Sequence, residues 1–333
     1  MGQGAYIFGC EGPRLDKREA AFFRESDPWG YILFARNVEA PEQLYRLTNE
    51  LREAVGREAP ILIDQEGGRV QRMRAPEWRE FLPPLDQIEA ALRRGDEEVA
   101  ARSMWLRGRL IADDLASVGI DVNCAPTLDV ARDETHPFLR NRCYGTEADV
   151  VALMGRAMAD GMAEGGVWSV MKHMPGHGRG TVDSHLGLPR IEVELDELVD
   201  DFAPFKALKD LPMGMTAHIV LDAVDPEVPA TQSDKVIGLI RDEIGFDGLL
   251  MTDDISMEAL SGSVLERATR SLKAGCDLVL HCNGDLAEMD SLATLGHMTA
   301  AAQTRADRAL EMRKPPVGID IREAQAEFDS LIE

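Results

Sequence analysis

The chain has 333 residues, 44% of them apolar and 29% charged, and carries a formal charge of −23 from 59 acidic and 36 basic side chains. That length suits one large α/β domain or two ordinary ones, and that charge repels polyanions, which sets nucleic-acid partners aside. The five cysteines (Cys10, Cys124, Cys143, Cys276, Cys282) are scattered and form no C-x-x-C pair, a usage expected of a reducing compartment rather than of a disulfide framework.

The first residues lack the basic start and apolar core of a secretory signal. No apolar run reaches the roughly 18 residues needed to cross a bilayer. A cytoplasmic, soluble protein with no membrane partner is expected, and a monomer is the default expectation. In chain order, short apolar runs predict strands near Ala5–Phe8, Tyr31–Phe34, Ile61–Asp64, Ile120–Cys124, Val170–Lys172, Gly214–Ala217, Gly248–Thr252 and Leu278–His281. Between them lie amphipathic stretches. Over Glu97–Val118, residues Met104, Ile111, Leu115 and Val118 recur at three-to-four-residue steps, which is one helical face. Leu195–Leu208 and Ser233–Glu243 read the same way, each with an acidic or serine start. Strands alternating with helices imply a parallel sheet, and eight of them with no break in composition favour closure. The expected fold is an α/β, TIM-like (β/α)8 barrel in a single domain covering residues 1–333, with a short helical extension at about 313–333.

The residues just beyond each strand carry the chemistry. Ile61–Ile63 runs into Asp64-Gln-Glu-Gly-Gly-Arg69, Asp121–Ala125 into Pro126-Thr-Leu-Asp129, Met213–Met215 into Thr216-Ala-His218, and Leu249–Met251 into Thr252-Asp253-Asp254. In a parallel barrel those strand ends share one rim, so residues nearly 200 positions apart can face one pocket. The densest stretch runs from Lys172 to His185, with His173, His177, His185 and Asp183 on a loop loosened by Gly176, Gly178 and Gly180. Polar, titratable residues released from a buried strand onto such a loop point to catalysis. Asp183 and His185 form an Asp-x-His pair, in which a carboxylate fixes the tautomer of an imidazole that trades protons near neutral pH. Asp253 and Asp254 end a buried strand; alternation allows only one into the pocket and does not say which.

Two other readings belong beside this one. His173 and His177 have the i, i+4 spacing of zinc helices, but Pro175 and Gly176 interrupt a helix there and Met174 stands where H-E-x-x-H needs glutamate. No metal and no cofactor is therefore expected, and a metal-dependent barrel hydrolase is the weaker alternative. Arg69, Arg72, Arg142 and Lys172 lie on or near strand ends of an acidic protein, where they can hold sugar hydroxyls or an acidic group of a ligand.

With these motifs in place, nearly the whole chain resembles the single-domain, bacterial cytoplasmic β-N-acetylhexosaminidases of glycoside hydrolase family 3. The landmarks are Gly30–Asn37, Asp64–Arg72, Asn123–Val130, Asn141–Gly145, the Lys-His-x-Pro-Gly-His-Gly…Asp-Ser-His loop at 172–185, and Gly245–Met257. The resemblance implies retaining removal of terminal β-linked N-acetylglucosamine from peptidoglycan fragments, muropeptides with a GlcNAc–anhydro-muramic acid unit, in cell-wall recycling. It places the nucleophile on Asp253, the acid/base on His185 with Asp183 as its partner, and sugar contacts on Asp64, Arg72, Arg142, Lys172 and His173. Met174, Cys143-Tyr144 and Thr252 stand where the family more commonly has Phe, Ser-Phe and Ser; these changes leave the catalytic positions intact. Within the family a β-glucosidase, or another β-glycosidase such as a disaccharide-releasing enzyme, is the nearest competitor.

Overall fold

A computed structural model describes residues 2–182 and 187–333. Eight parallel strands close into a barrel: β1 (Gly4–Gly9), β2 (Pro28–Leu33), β3 (Ile61–Ile63), β4 (Val122–Asn123), β5 (Trp168–Met174), β6 (Met213–Thr216), β7 (Leu249–Asp254) and β8 (Leu278–His281). Strands that succeed one another in sequence lie side by side, and β8 returns to β1 with Tyr6 opposite Val279. The expected barrel is therefore the observed one, with strand ends displaced by a few residues.

Each strand divides its side chains between two cores. Ile32, Leu62, Leu249, Met251, Leu278 and Leu280 pack in one cluster, while Tyr31, Leu33, Ile61, Ile63, Leu250 and Val279 pack in another with the surrounding helices. That is the two-residue period of a pleated strand, hidden in the sequence because both faces are apolar. An inward residue such as Leu62, fully buried, contributes about 1.5–3 kcal/mol by leaving water. The helix Ala300–Glu311 sends Ala302, Ala306 and Ala309 into the inner cluster, beside Ala5, Trp29 and Trp168 near the strand starts. It closes the end of the barrel where the strands begin, and the opposite rim is left for the site.

The long helix Glu97–Ser117 is capped by Asp96, whose carboxylate accepts from the backbone N–H of Glu98 and Val99. Ser233 caps Asp234–Asp242 by accepting from Val236 N–H. The segment expected as one helix over Leu195–Leu208 splits into a 3-10 turn, Leu195–Leu198, and a helix, Val199–Ala207. At the other end of the chain, Ile321–Ile332 is helical and packs Phe328 against Phe81, ring centroids 5.9 Å apart, while Arg102 pairs with Glu327 at 2.7 Å. Among the described residues no helix is long and apolar enough to cross a membrane.

One loop that shapes the site needs its own support. After β3 the chain makes a small antiparallel hairpin, Gln65–Gly67 against Val70–Gln71. The fully buried Arg107, from the long helix, donates to Glu66 C=O (Nε, 3.1 Å) and Leu82 C=O (2.9 Å) and also bonds the Gln87 side chain. A Cβ at Gly67, whose φ is +102°, would collide with that guanidinium. Glycine is what allows the hairpin to sit on the arginine.

Candidate active site

The strand ends surround a cavity of about 390 Å³, and Asp64, Arg72, Arg142, Lys172, His173 and Asp253 all line it. Six positions singled out in the sequence are thus brought together from β3, β5, β7 and the loops between them. Asp183 and His185 lie outside the described residues.

At one wall, two carboxylates and three cations form a single network. Lys172 Nζ lies 2.9 Å from Asp64 Oδ1 and 2.6 Å from Glu66 Oε1. Arg142 grips Glu66 with Nε and Nη2, each at 2.8 Å, and Arg72 Nη2 reaches Asp64 Oδ2 at 3.0 Å. Lys172, Arg142 and Glu66 are almost completely buried. Burial alone would push both carboxyl groups up; the Lys172 and Arg72 charges instead hold Asp64 well below the usual carboxylate range, and Arg142 with Lys172 bring Glu66 down to about 2. Burial would also lower Lys172, but Asp64 and Glu66 raise it above its ordinary value. Asp64, Glu66, Lys172 and Arg142 therefore stay charged at neutral pH. Such a set is costly to desolvate and unforgiving of a missing partner.

The strand β5 extends further than expected, through Lys172 and His173 to Met174, so the basic pair sits on rigid backbone and the loop begins only after it. The fully buried Asp129, beyond the end of β4, accepts from His173 Nδ1 at 2.7 Å and from the His177 backbone N–H at 2.7 Å. His173 Nδ1 therefore carries the proton, leaving Nε2 for the cavity that His173 lines. Burial lowers His177 to about 4 despite the Asp129 charge, so its imidazole is neutral at pH 7, and its Nε2 is buried without a hydrogen-bond partner among the described residues.

The two carboxylates ending β7 differ in how they are used. A register shift between Met251 and Asp254 interrupts the pairing of β7 with β8, and both aspartates reach the cavity wall instead of alternating. Asp254 is tied down: its Oδ1 accepts from Ser256 N–H (3.0 Å) and Cys282 N–H (3.2 Å), and its Oδ2 from Ser256 Oγ–H (2.7 Å). Asp253 accepts one backbone N–H, that of Asp254, at 2.7 Å, among the described residues. Burial pushes its carboxyl up, but His218, His173, the Asp254 N–H and Lys172 together bring it below its ordinary value. His218 is itself held below its ordinary value by burial. His218 also fixes the strand end: Nε2–H donates to Asp254 C=O at 2.9 Å, and Nδ1 meets Thr231 Oγ1 at 2.8 Å.

Three contributors were not singled out as site residues in the sequence: Glu66, Asp129 and His218. Each belongs to a strand-end motif, but its partner lies elsewhere in the chain, 76 residues away for Glu66 with Arg142 and 44 for Asp129 with His173. Thr252 serves the backbone, accepting from Leu280 N–H at 3.0 Å, and Met174 and Tyr144 are fully buried. Among the described residues, no group of three or more His, Cys, Asp or Glu side chains is placed to hold a metal ion.

The cavity offers an ionised carboxylate, imidazoles with assigned protons and a set of fixed charges at a water-accessible rim, a combination suited to nucleophilic and acid–base chemistry on a polyhydroxylated ligand. Comparison with known proteins agrees. The glycosyl hydrolase family 3 N-terminal domain matches residues 16–312. A β-hexosaminidase from Alkalilimnicola ehrlichii is 38% identical over 288 residues, 84% of this chain and 81% of its own. The crystal structure of NagZ from Neisseria gonorrhoeae superposes with a TM-score of 0.88 at 30% identity, covering 100% of this chain and 99% of that one. A structure of the same protein with N-trifluoroacetyl-D-glucosamine gives 0.89 at the same identity.

The charge network makes a pH prediction. Glu66 titrates below its ordinary 4.5 in the folded protein, so folding favours its ionised form. Its contribution is fully present above about pH 4.5 and is lost as the pH falls toward 2. Glu66→Gln, which keeps the shape and removes the charge, should melt below wild type at pH 7, with the gap in Tm narrowing as the pH drops from 4.5 toward 2. A gap of constant size across that range would contradict the network.

Proposed function

The chain belongs to glycosyl hydrolase family 3, and we propose that it works as a retaining, exo-acting β-N-acetylhexosaminidase. Its substrate is a terminal, non-reducing β-linked N-acetylglucosamine on a peptidoglycan fragment, GlcNAc–anhydro-muramic acid with or without its peptide, taken up in the cytoplasm. The observation that carries the reading is Asp253: an ionised carboxylate whose second oxygen, among the described residues, is not held by the backbone, in a cavity whose other wall is the Asp64–Lys172 network. The β-hexosaminidase relatives, and the glucosamine analogue bound by the Neisseria protein, support the choice of sugar.

In this reading Asp64, Arg72, Lys172 and His173 hold the sugar, and Arg142 acts chiefly by fixing Glu66. Asp253 attacks the anomeric carbon as the bond to the leaving oxygen breaks. The His185 imidazolium gives its proton to that oxygen, with Asp183 stabilising the charge. Neutral His185 then takes a proton from water, whose oxygen attacks the anomeric carbon. The bond to Asp253 breaks, and carboxylate and imidazolium are both restored. Retaining glycosidases generally pair two carboxyl groups about 5–5.5 Å apart; here an imidazole takes the second place.

The sugar specificity is checked by comparing 4-nitrophenyl β-N-acetylglucosaminide with the matching β-glucoside. A kcat/KM at least about a hundredfold higher on the first is expected, and equal or reversed values would move the chain to the β-glucosidases. The proton donor is checked with His185→Ala. It should lose about a hundredfold or more on the disaccharide, whose leaving oxygen needs a proton, and much less on the activated aryl glycoside. Equal losses on both would remove His185 from that role.

A further inference from the structure

Among the described residues, Arg69 is the cation of the cavity that the charge network leaves over. It occupies the tip of the hairpin after β3, where Gly68, with φ +58°, donates to Phe81 C=O at 2.8 Å and lies against Pro83. The tip is thus anchored to the body of the protein. Arg72, Arg142 and Lys172 each face a carboxylate at 3.0 Å or less. Arg69 lines the same cavity, is exposed, and forms no hydrogen bond or ion pair through its side chain among the described residues. Its guanidinium instead lies over the Phe138 ring, 4.0 Å from the centroid. Stacking holds the plane in place while its N–H edge remains available to donate.

Its position relative to the cavity gives this availability a direction. Lys172 and Glu66 are buried at the inner wall, and the barrel is closed beyond them by Ala300–Glu311. A terminal sugar held there must leave the rest of its substrate at the mouth, where Arg69 is. The protein as a whole carries −23, so an anion approaches against the general field. An arginine held by stacking, with no carboxylate of its own among the described residues, is a local exception whose fork matches a carboxylate.

We propose that Arg69, set on Phe138 at the cavity mouth, binds a carboxylate on the leaving-group part of the substrate and so determines which aglycones the enzyme prefers. This rests on the reading of the cavity as a β-N-acetylglucosaminidase site. The anhydro-muramic acid of the proposed substrate carries such a group on its lactyl ether when no peptide is attached; where a stem peptide is joined there as an amide, the peptide supplies its own carboxylates.

The test is a matched pair of substrates, GlcNAc–anhydro-muramic acid and its methyl ester, which share the same leaving oxygen. The readout is the ratio of kcat/KM on acid over ester within each protein, so that any general loss of folded enzyme cancels. Wild type should favour the acid. In Arg69→Gln the ratio should fall about tenfold, Arg69→Lys should retain part of it, and the wild-type preference should shrink as salt is raised. An unchanged ratio in Arg69→Gln, or a wild type that does not distinguish acid from ester, overturns the proposal. If wild type cleaves neither disaccharide nor aryl β-N-acetylglucosaminide, the functional reading of the cavity fails instead.

Discussion

Lys172 between Asp64 and Glu66 is the contact around which the rim of this barrel is organised. A buried ammonium is tolerable only because two carboxylates meet it within 3 Å, and those carboxylates are tolerable only because Arg72 and Arg142 neutralise their far sides. The five groups come from the residue after β3, the hairpin and the residue that follows it, β5 and the segment preceding Cys143. The same requirement that keeps the charges paired therefore fixes four pieces of chain relative to one another. The hairpin has no apolar core of its own; Arg107 holds its backbone from below while the Glu66 side chain reaches up to the network.

The wall carrying Asp253 is set by a different means. Here strand pairing gives way to a bulge, and the two adjacent carboxylates that result are separated in role by their hydrogen bonds. Three donors converge on Asp254, fastening the turn after β7, while among the described residues Asp253 keeps an oxygen for the cavity. His218, neutral and locked between Thr231 and the Asp254 carbonyl, holds the strand end in place. With both ring nitrogens engaged there, His218 makes no hydrogen bond to Asp253 among the described residues, and that carboxylate faces the cavity.

The barrel was legible because its strands are short, apolar and spaced by amphipathic helices. The inward and outward faces of Leu62 and Ile63 were not, since both are apolar and the alternation leaves no trace in composition. The cluster at 172–185 was legible as a place of chemistry, yet its first residues are strand, because pairing with β6 continues to Met174. Glu66, Asp129 and His218 were visible as strand-end residues, but a carboxylate that will sit beneath an arginine 76 positions later has no local signature. The choice between Asp253 and Asp254 likewise depends on Ser256 and on the Cys282 backbone, contacts that only the closed barrel creates. Arg69 looked like its neighbours in sequence, and only the pairing of Arg72, Arg142 and Lys172 sets it apart.

Trapping the enzyme with a fluorinated slow N-acetylglucosaminide and mapping the added mass by peptide sequencing tests the division of labour on β7 most directly. The sugar is expected on Asp253. Labelling of Asp254, or full turnover with no labelled peptide, would contradict it.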